Sequence, residues 1–108
     1  SGKVRALGVS TLKRFAATPD LPPVADTVPG YESLAWFGLF APAATPSDIV
    51  TKWHTDVVAV LALPEIRERV AQLGFEVVGN TPEAYAALVK NDIAKWQRVV
   101  KASGAKAE

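Results

Sequence analysis

The chain contains no cysteine and no methionine in 108 residues, one histidine, and a net charge of only +1. Each scarcity removes a class of function. Without cysteine there are no disulfides, no thiolate zinc or iron–sulfur sites and no thiol nucleophile. A histidine metal site needs two or three ligands, and His54 is alone, so no metal and no cofactor is expected. Twelve basic residues against eleven acidic ones, scattered along the chain, leave no electrostatic footprint for nucleic acid. The longest apolar run, Val57 to Leu63, is seven residues and ends at Pro64, far short of a membrane span. Ser1-Gly2-Lys3 leads straight into an apolar run with none of the layout of a secretion signal. The missing methionine predicts a natural chain that begins further upstream, with an expression scar or proteolysis as the alternatives. What is plentiful is apolar: 49% of the residues. A chain of this length can hide roughly 60–70% of its unfolded surface, so a self-sufficient core is the expectation.

Hydropathy and punctuation divide the sequence into short elements. Val4 to Ser10 is apolar without clean alternation, which suits a strand covered on both faces. Pro19, Pro22, Pro23 and Pro29 then make the stretch to Gly30 irregular, because each fixes φ and removes a donor. Leu34 to Phe40 reads as a second strand. Thr45-Pro46-Ser47-Asp48 predicts a helix start with Thr45 as cap, Pro46 at the first helical position and Asp48 closing a capping box. Ile49, Trp53, Val57, Val60 and Leu61 follow as its apolar stripe. Pro64 opens a second helix with the stripe Ile66, Val70 and Leu73; Leu63 at its cap offers no side-chain acceptor, and Gly74 is its stop. Phe75 to Val78 reads as a third strand. Thr81-Pro82-Glu83 repeats the start signal for a final helix reaching about Ser103, with Tyr85, Leu88, Val89, Ile93, Trp96, Val99 and Val100 on one face and Gly104 as its end. The order strand, irregular, strand, helix, helix, strand, helix indicates an α/β fold.

No phosphate-binding glycine motif and no nucleophile elbow is present, so the chain is not expected to be an enzyme. His54 and Asp56 stand two apart on a helix and face different ways, which makes His54 a solvent-facing side chain. Trp53 and Trp96 sit on helix stripes and read as core. Glu65, Arg67, Glu68 and Arg69 read as a solvated face. Ser10 and Thr11 end a strand, where hydroxyls and backbone N–H groups receive anions in open α/β folds; the plainer alternative is a cap on a short helical turn. Trp36 lies where a strand follows an irregular loop and is either core or the wall of a cleft.

Taken together, these segments resemble one family. Gly2-Lys3-Val4-Arg5-Ala6-Leu7-Gly8-Val9-Ser10, Arg14, Pro19-Asp20-Leu21-Pro22-Pro23-Val24-Ala25-Asp26 and Pro29-Gly30-Tyr31-Glu32 carry the first part of the likeness. Trp36-Phe37-Gly38-Leu39-Phe40-Ala41-Pro42, Thr45-Pro46, Pro64-Glu65-Ile66-Arg67, Leu73-Gly74, Gly79, Thr81-Pro82-Glu83 and Lys95-Trp96 continue it almost to the end. In order and spacing they resemble the C-terminal part of the solute-binding proteins of tripartite tricarboxylate transporters, the Bug or TctC family. The departures are Pro23 for a usual threonine, Ala44 for a glycine, Leu63 for a capping aspartate and His54 for an asparagine.

The resemblance implies a periplasmic binding protein of two α/β domains with a cleft for small carboxylates, which it delivers to membrane permease subunits. It assigns residues 1–36 to the end of the second domain and 37–108 to a segment returning to the first. Much of the carboxylate grip in the family comes from loops outside this sequence, so weak or absent binding is expected here. Ser10 and Thr11 are the candidate donors to a carboxylate and Trp36 the cleft wall. Arg14 either adds charge or holds the proline-rich loop through Asp20. The alternative function is a standalone oligomerising α/β module, and a homo-oligomer is one way for an isolated chain to cover its apolar stripes.

Overall fold

The computed structural model describes residues 3–106. Two compact units divide the chain, the first ending at Ala43 and the second beginning at Ala44.

The first unit is held by backbone bonds between irregular segments. Val9 donates its N–H to the Pro22 carbonyl at 3.0 Å and accepts the Val24 N–H at 2.9 Å. This is a parallel bridge of Val9 with Pro23, closed by a 3-10 turn over Val24–Asp26. Ser33 then donates to the Ser10 carbonyl at 3.0 Å, so residues 9–10 are clamped between two later segments. Pro23 at this crossing is the one buried residue among those described. The prolines suit the arrangement: a stretch with fixed φ loses less freedom on ordering, so it keeps a shape without a ladder.

The second unit contains α1 (Ser47–Leu61), α2 (Pro64–Gln72) and α3 (Pro82–Ser103). Their bounds follow the proline and glycine punctuation closely. α1 starts one residue later than expected. Pro46 is its N-cap and carries no acceptor, so Thr45 falls outside the helix and the capping box with Asp48 does not form. Leu63 caps α2 without a side-chain bond, as its chemistry requires. α2 ends on Gly74 at φ +79, with the Gly74 N–H on the Ala71 carbonyl (2.9 Å) and the Phe75 N–H on Val70 (3.1 Å). That pair of bonds is the Schellman closure. α3 ends on left-handed Gly104.

The three expected strands are not paired into a sheet. Val4–Ser10 forms only the bridge at Val9, and Leu34–Phe40 and Phe75–Val78 carry no ladder among the described residues. A strand exists by ladder pairing with a neighbour, and among the described residues the Val9–Pro23 bridge is the one such pairing.

The expected core is absent too. No hydrophobic residue among those described is fully buried. The accessible surface is 9194 Å². Two separate globules of the sizes of these units would together expose about 7,000 Å². The apolar stripes are therefore only partly covered. In α1 the half-buried positions are Val50, His54, Val57, Val58 and Leu61. They are one face of a helix, rotated from the expected stripe. Ile49, Trp53 and Val60 form an adjoining stripe, each about half exposed. In α2, Ile66 and Val70 are half-buried and Leu73 is exposed. In α3, Tyr85 and Val89 are half-buried while Ile93, Trp96, Val99 and Val100 are exposed. The core assignment of Trp53 and Trp96 is thus corrected within this chain.

Candidate functional site

The four residues singled out from the sequence all lie in the first unit. Ser10 leaves the Val9 bridge with its carbonyl taken by Ser33, and its side chain is exposed. Thr11 is half-buried and its hydroxyl donates to the Lys13 carbonyl at 2.6 Å. No helix follows, so neither residue is a helix cap. Arg14 donates from Nη1 to the Pro19 carbonyl at 3.0 Å. Arg14 therefore does hold the proline-rich loop, through the backbone of Pro19 where the Asp20 carboxylate was expected. A guanidinium carries five N–H donors, and one bond does not exhaust it.

The loop that Arg14 closes turns through Thr18 N–H on Phe15 (3.0 Å) and Leu21 N–H on Thr18 (3.1 Å). Inside it the Thr18 hydroxyl is closed off from solvent with no hydrogen-bond partner among the described residues. A buried hydroxyl in that state costs free energy unless something satisfies it. Sequence reading missed it, since nothing marks one threonine among loop residues as enclosed.

Ser33 reaches Ser10 three residues before Trp36, which is half-buried. The backbone thus brings Ser33 onto Ser10, with Trp36 three residues further along the chain, whereas Arg14 bonds within its own loop. Lys3, Arg5, Lys13 and Arg14 all precede the first acid, Asp20, so the start of the sequence is basic. Of these candidates, the exposed Ser10 hydroxyl is a free-standing donor of the kind that can bond a carboxylate.

A second cluster lies in the other unit. His54 is half-buried, not solvent-facing, and its Nε2 is 3.1 Å from the Asn80 carbonyl. A carbonyl can only accept, so Nε2 carries the hydrogen. The signal was present in the sequence: positions 50, 54, 57, 58 and 61 share a helical face, and the histidine is on it. Asn80 leads into the α3 cap, where Thr81 accepts the Ala84 N–H at 3.2 Å. The Glu83 carboxyl is held below the ordinary glutamate value by its own backbone N–H first, then by the Thr81 hydroxyl, with His54 a smaller contributor.

Because folding lowers that pKa, the Glu83 contribution to stability is complete above the ordinary glutamate value and fades as pH falls through the lowered one. Thr81→Ala removes the cap and is expected to cost about 1 kcal/mol. It also moves the Glu83 titration upward, part of the way to normal, since the backbone N–H remains. A side-chain NMR titration of Glu83 in both proteins measures this, and an unmoved midpoint rejects the Thr81 contact.

Other surfaces offer less. A shallow depression on α2, lined by Glu65, Glu68, Arg69, Gln72 and Leu73, is open to solvent and made by one helix and its cap. Among the described residues there is no group of three potential metal ligands, and no helix is long and apolar enough to cross a membrane.

Comparison with known proteins adds a lineage. Residues 1–105 match the family described as "Tripartite tricarboxylate transporter family receptor". The chain is 37% identical over 100 residues to a UPF0065 protein from the tcbD-tcbE intergenic region of Pseudomonas sp. strain P51, covering 91% of this chain and 30% of that protein. It is 38% identical over 102 residues to a UPF0065 protein from the clcB-clcD intergenic region of Pseudomonas knackmussii, covering 93% and 60%. Protein BugT of Bordetella pertussis is 28% identical, over 98% of this chain and 33% of BugT. The structure superposes on that of the periplasmic binding protein BugD with a TM-score of 0.77 at 38% identity, over 94% of this chain and 35% of BugD. The chain therefore spans between about a third and three-fifths of the relatives it matches, and it shares the fold of the corresponding part of a periplasmic binding protein.

Proposed function

Since the chain belongs to the TctC family of tripartite tricarboxylate transporter receptors, we propose that it serves solute binding, as the C-terminal portion of an extracytoplasmic carboxylate-binding protein. The observation that carries this reading is the family match across 105 of 108 residues. In this reading the protein works in the periplasm and passes its ligand to membrane permease subunits. Residues 1–36 end one lobe and 37–108 return to the other. Val4–Ser10, Leu34–Phe40 and Phe75–Val78 become strands when sheets of the α/β lobes supply their neighbours. Binding, not catalysis, is the activity.

Ser10 and Thr11 stand at the strand end as donors to the carboxylate, with Trp36 along the cleft and Arg14 shaping the loop beside it. The Thr11 hydroxyl is turned to Lys13 in this structure, so Ser10 is the stronger donor. No observation favours the alternative of a standalone oligomerising module.

The test is calorimetry with a panel of di- and tricarboxylates on this chain and on a protein in which it replaces the equivalent part of BugD. The chain alone is expected to bind weakly or not at all, and the completed protein to bind. In the completed protein Ser10→Ala should weaken binding about 10- to 100-fold, the range for losing a hydrogen bond to a charged group. An unchanged affinity removes Ser10 from the site, and a completed protein that binds no carboxylate overturns the reading.

A further inference from the structure

The near balance of charge hides one local excess. Residues 90–106 hold five of the twelve basic residues and one of the eleven acidic ones. α3 sorts them by side. On a helix with 3.6 residues per turn, Lys90, Arg98 and Lys101 fall within about 80° of one another and span about 16 Å along the axis. All three are exposed, and none is in an ion pair among the described residues. Ala87, Asn91, Ala94 and Gln97 fill the same side and are exposed as well. Asp92, the one acid of the stretch, stands on the far side of the helix with Ile93, Trp96 and Val100. Lys106 adds a further exposed cation just past the Gly104 end. Cations at a helix C-terminus offset its macrodipole, but that effect fades beyond the last turn. It accounts for Lys101 and leaves Lys90 and Arg98 unexplained. Arg98 and Lys101 are also surface neighbours of like charge, which works against the helix.

We propose that this cationic face of α3 docks on an anionic phospholipid surface. Two features select a bilayer over an acidic protein. The first is composition. Protein interfaces are enriched in aromatic side chains and arginine and depleted in lysine and alanine. This face carries two lysines, one arginine and alanines, with no aromatic among them. A fluid layer of headgroups asks for no fixed geometry and takes lysine as a point charge on a flexible stem. The second is shape. The cations lie along one straight side of a helix with small or uncharged residues between them, so all three can reach a plane at once. Trp96 and the apolar stripe face away from that plane, so the contact is with headgroups, without insertion. The inference goes beyond solute binding and does not depend on it.

The experiment is vesicle co-sedimentation of the whole chain, with vesicles of phosphatidylcholine alone and of phosphatidylcholine and phosphatidylglycerol in equal parts. The mixed vesicles are expected to bind the chain far more tightly, and added salt to release it. Lys90→Gln, Arg98→Gln and Lys101→Gln together should weaken that binding about 100-fold, from roughly 5-fold for each cation at the surface. A second triple variant, Lys13→Gln, Lys52→Gln and Arg67→Gln, loses the same charge elsewhere and should bind as the unaltered chain does. Glutamine has nearly the helix propensity of lysine and arginine, and an unchanged circular dichroism spectrum shows that both variants fold. Three results overturn the proposal. Equal binding to phosphatidylcholine vesicles assigns the contact to the apolar stripes. Equal loss in the two triple variants reduces it to net charge. No binding to the mixed vesicles ends it, and retention on an immobilised poly-glutamate peptide in that case points to an acidic protein. None of these results involves a carboxylate ligand, so this proposal and the solute-binding reading fail separately.

Discussion

Gly8→Val is expected to open the first unit. Gly8 sits beside the crossing of residues 9 and 23, and a Cβ there would lie 3.1 Å from the Pro22 carbonyl oxygen and 3.4 Å from Val24 Cγ2. The nearer atom is backbone, and it is the acceptor of the Val9 N–H. It cannot retreat without stretching one of the two bonds that make the bridge. Valine adds two further methyl groups to the same space. Overpacking of this kind costs about 1–3 kcal/mol. With a single buried residue among those described, the unit has little other packing to absorb the loss. The measurement is amide exchange at Val9 and Val24, whose protection should fall by at least roughly 5-fold, the lower end of that cost. Alanine should have a smaller effect in the same direction. Undiminished protection in both variants would show that the segments 8–10 and 22–24 are not held as described.

Gly74→Val is expected to have the second-largest effect, for the opposite reason. A Cβ at Gly74 meets nothing within 4 Å, so space is not the constraint. The constraint is φ, at +79, where a β-branched residue is a steric outlier. The cost is about 1–2 kcal/mol, and relieving it means giving up the bonds from Gly74 to Ala71 and from Phe75 to Val70. The end of α2 and the segment 75–80 should then lose their fixed direction. Exchange of the Gly74-position and Phe75 amides should accelerate by up to about 30-fold. Asparagine adopts the left-handed region most readily after glycine, so Gly74→Asn should recover much of the loss. At Gly8 the same asparagine should recover nothing, because there the obstacle is the Pro22 carbonyl. If asparagine behaves alike at the two positions, one of these two explanations is wrong.

The helices were legible because their ends are written locally. Pro64 and Pro82 sit at first turns, Gly74 and Gly104 just past last turns, and Thr81 offers its hydroxyl to α3. Each acts through dihedral angles or bonds within a few residues. Where local logic slipped, at Thr45, the slip was one position, because Pro46 itself took the cap. The site was legible only as candidates. Ser10, Thr11 and Arg14 were found by position after an apolar run. Their bonds to Ser33, Lys13 and Pro19 depend on the path of the loop, and so does the enclosure of the Thr18 hydroxyl, which no local pattern marks.

The sequence by itself determined where the helices begin and end, that the 19–30 stretch is irregular, which family the chain resembles, and the absence of cysteine and methionine with the chemistry that excludes. Backbone sterics and residue inventory act over a few positions, or over none. Only the tertiary structure decided which apolar faces are covered. It rotated the inward face of α1 to include His54, left Trp53 and Trp96 only partly covered, and left three strand-like segments without a sheet. Burial and strand pairing both need a second surface, and the 49% apolar content carries no record of where that surface is.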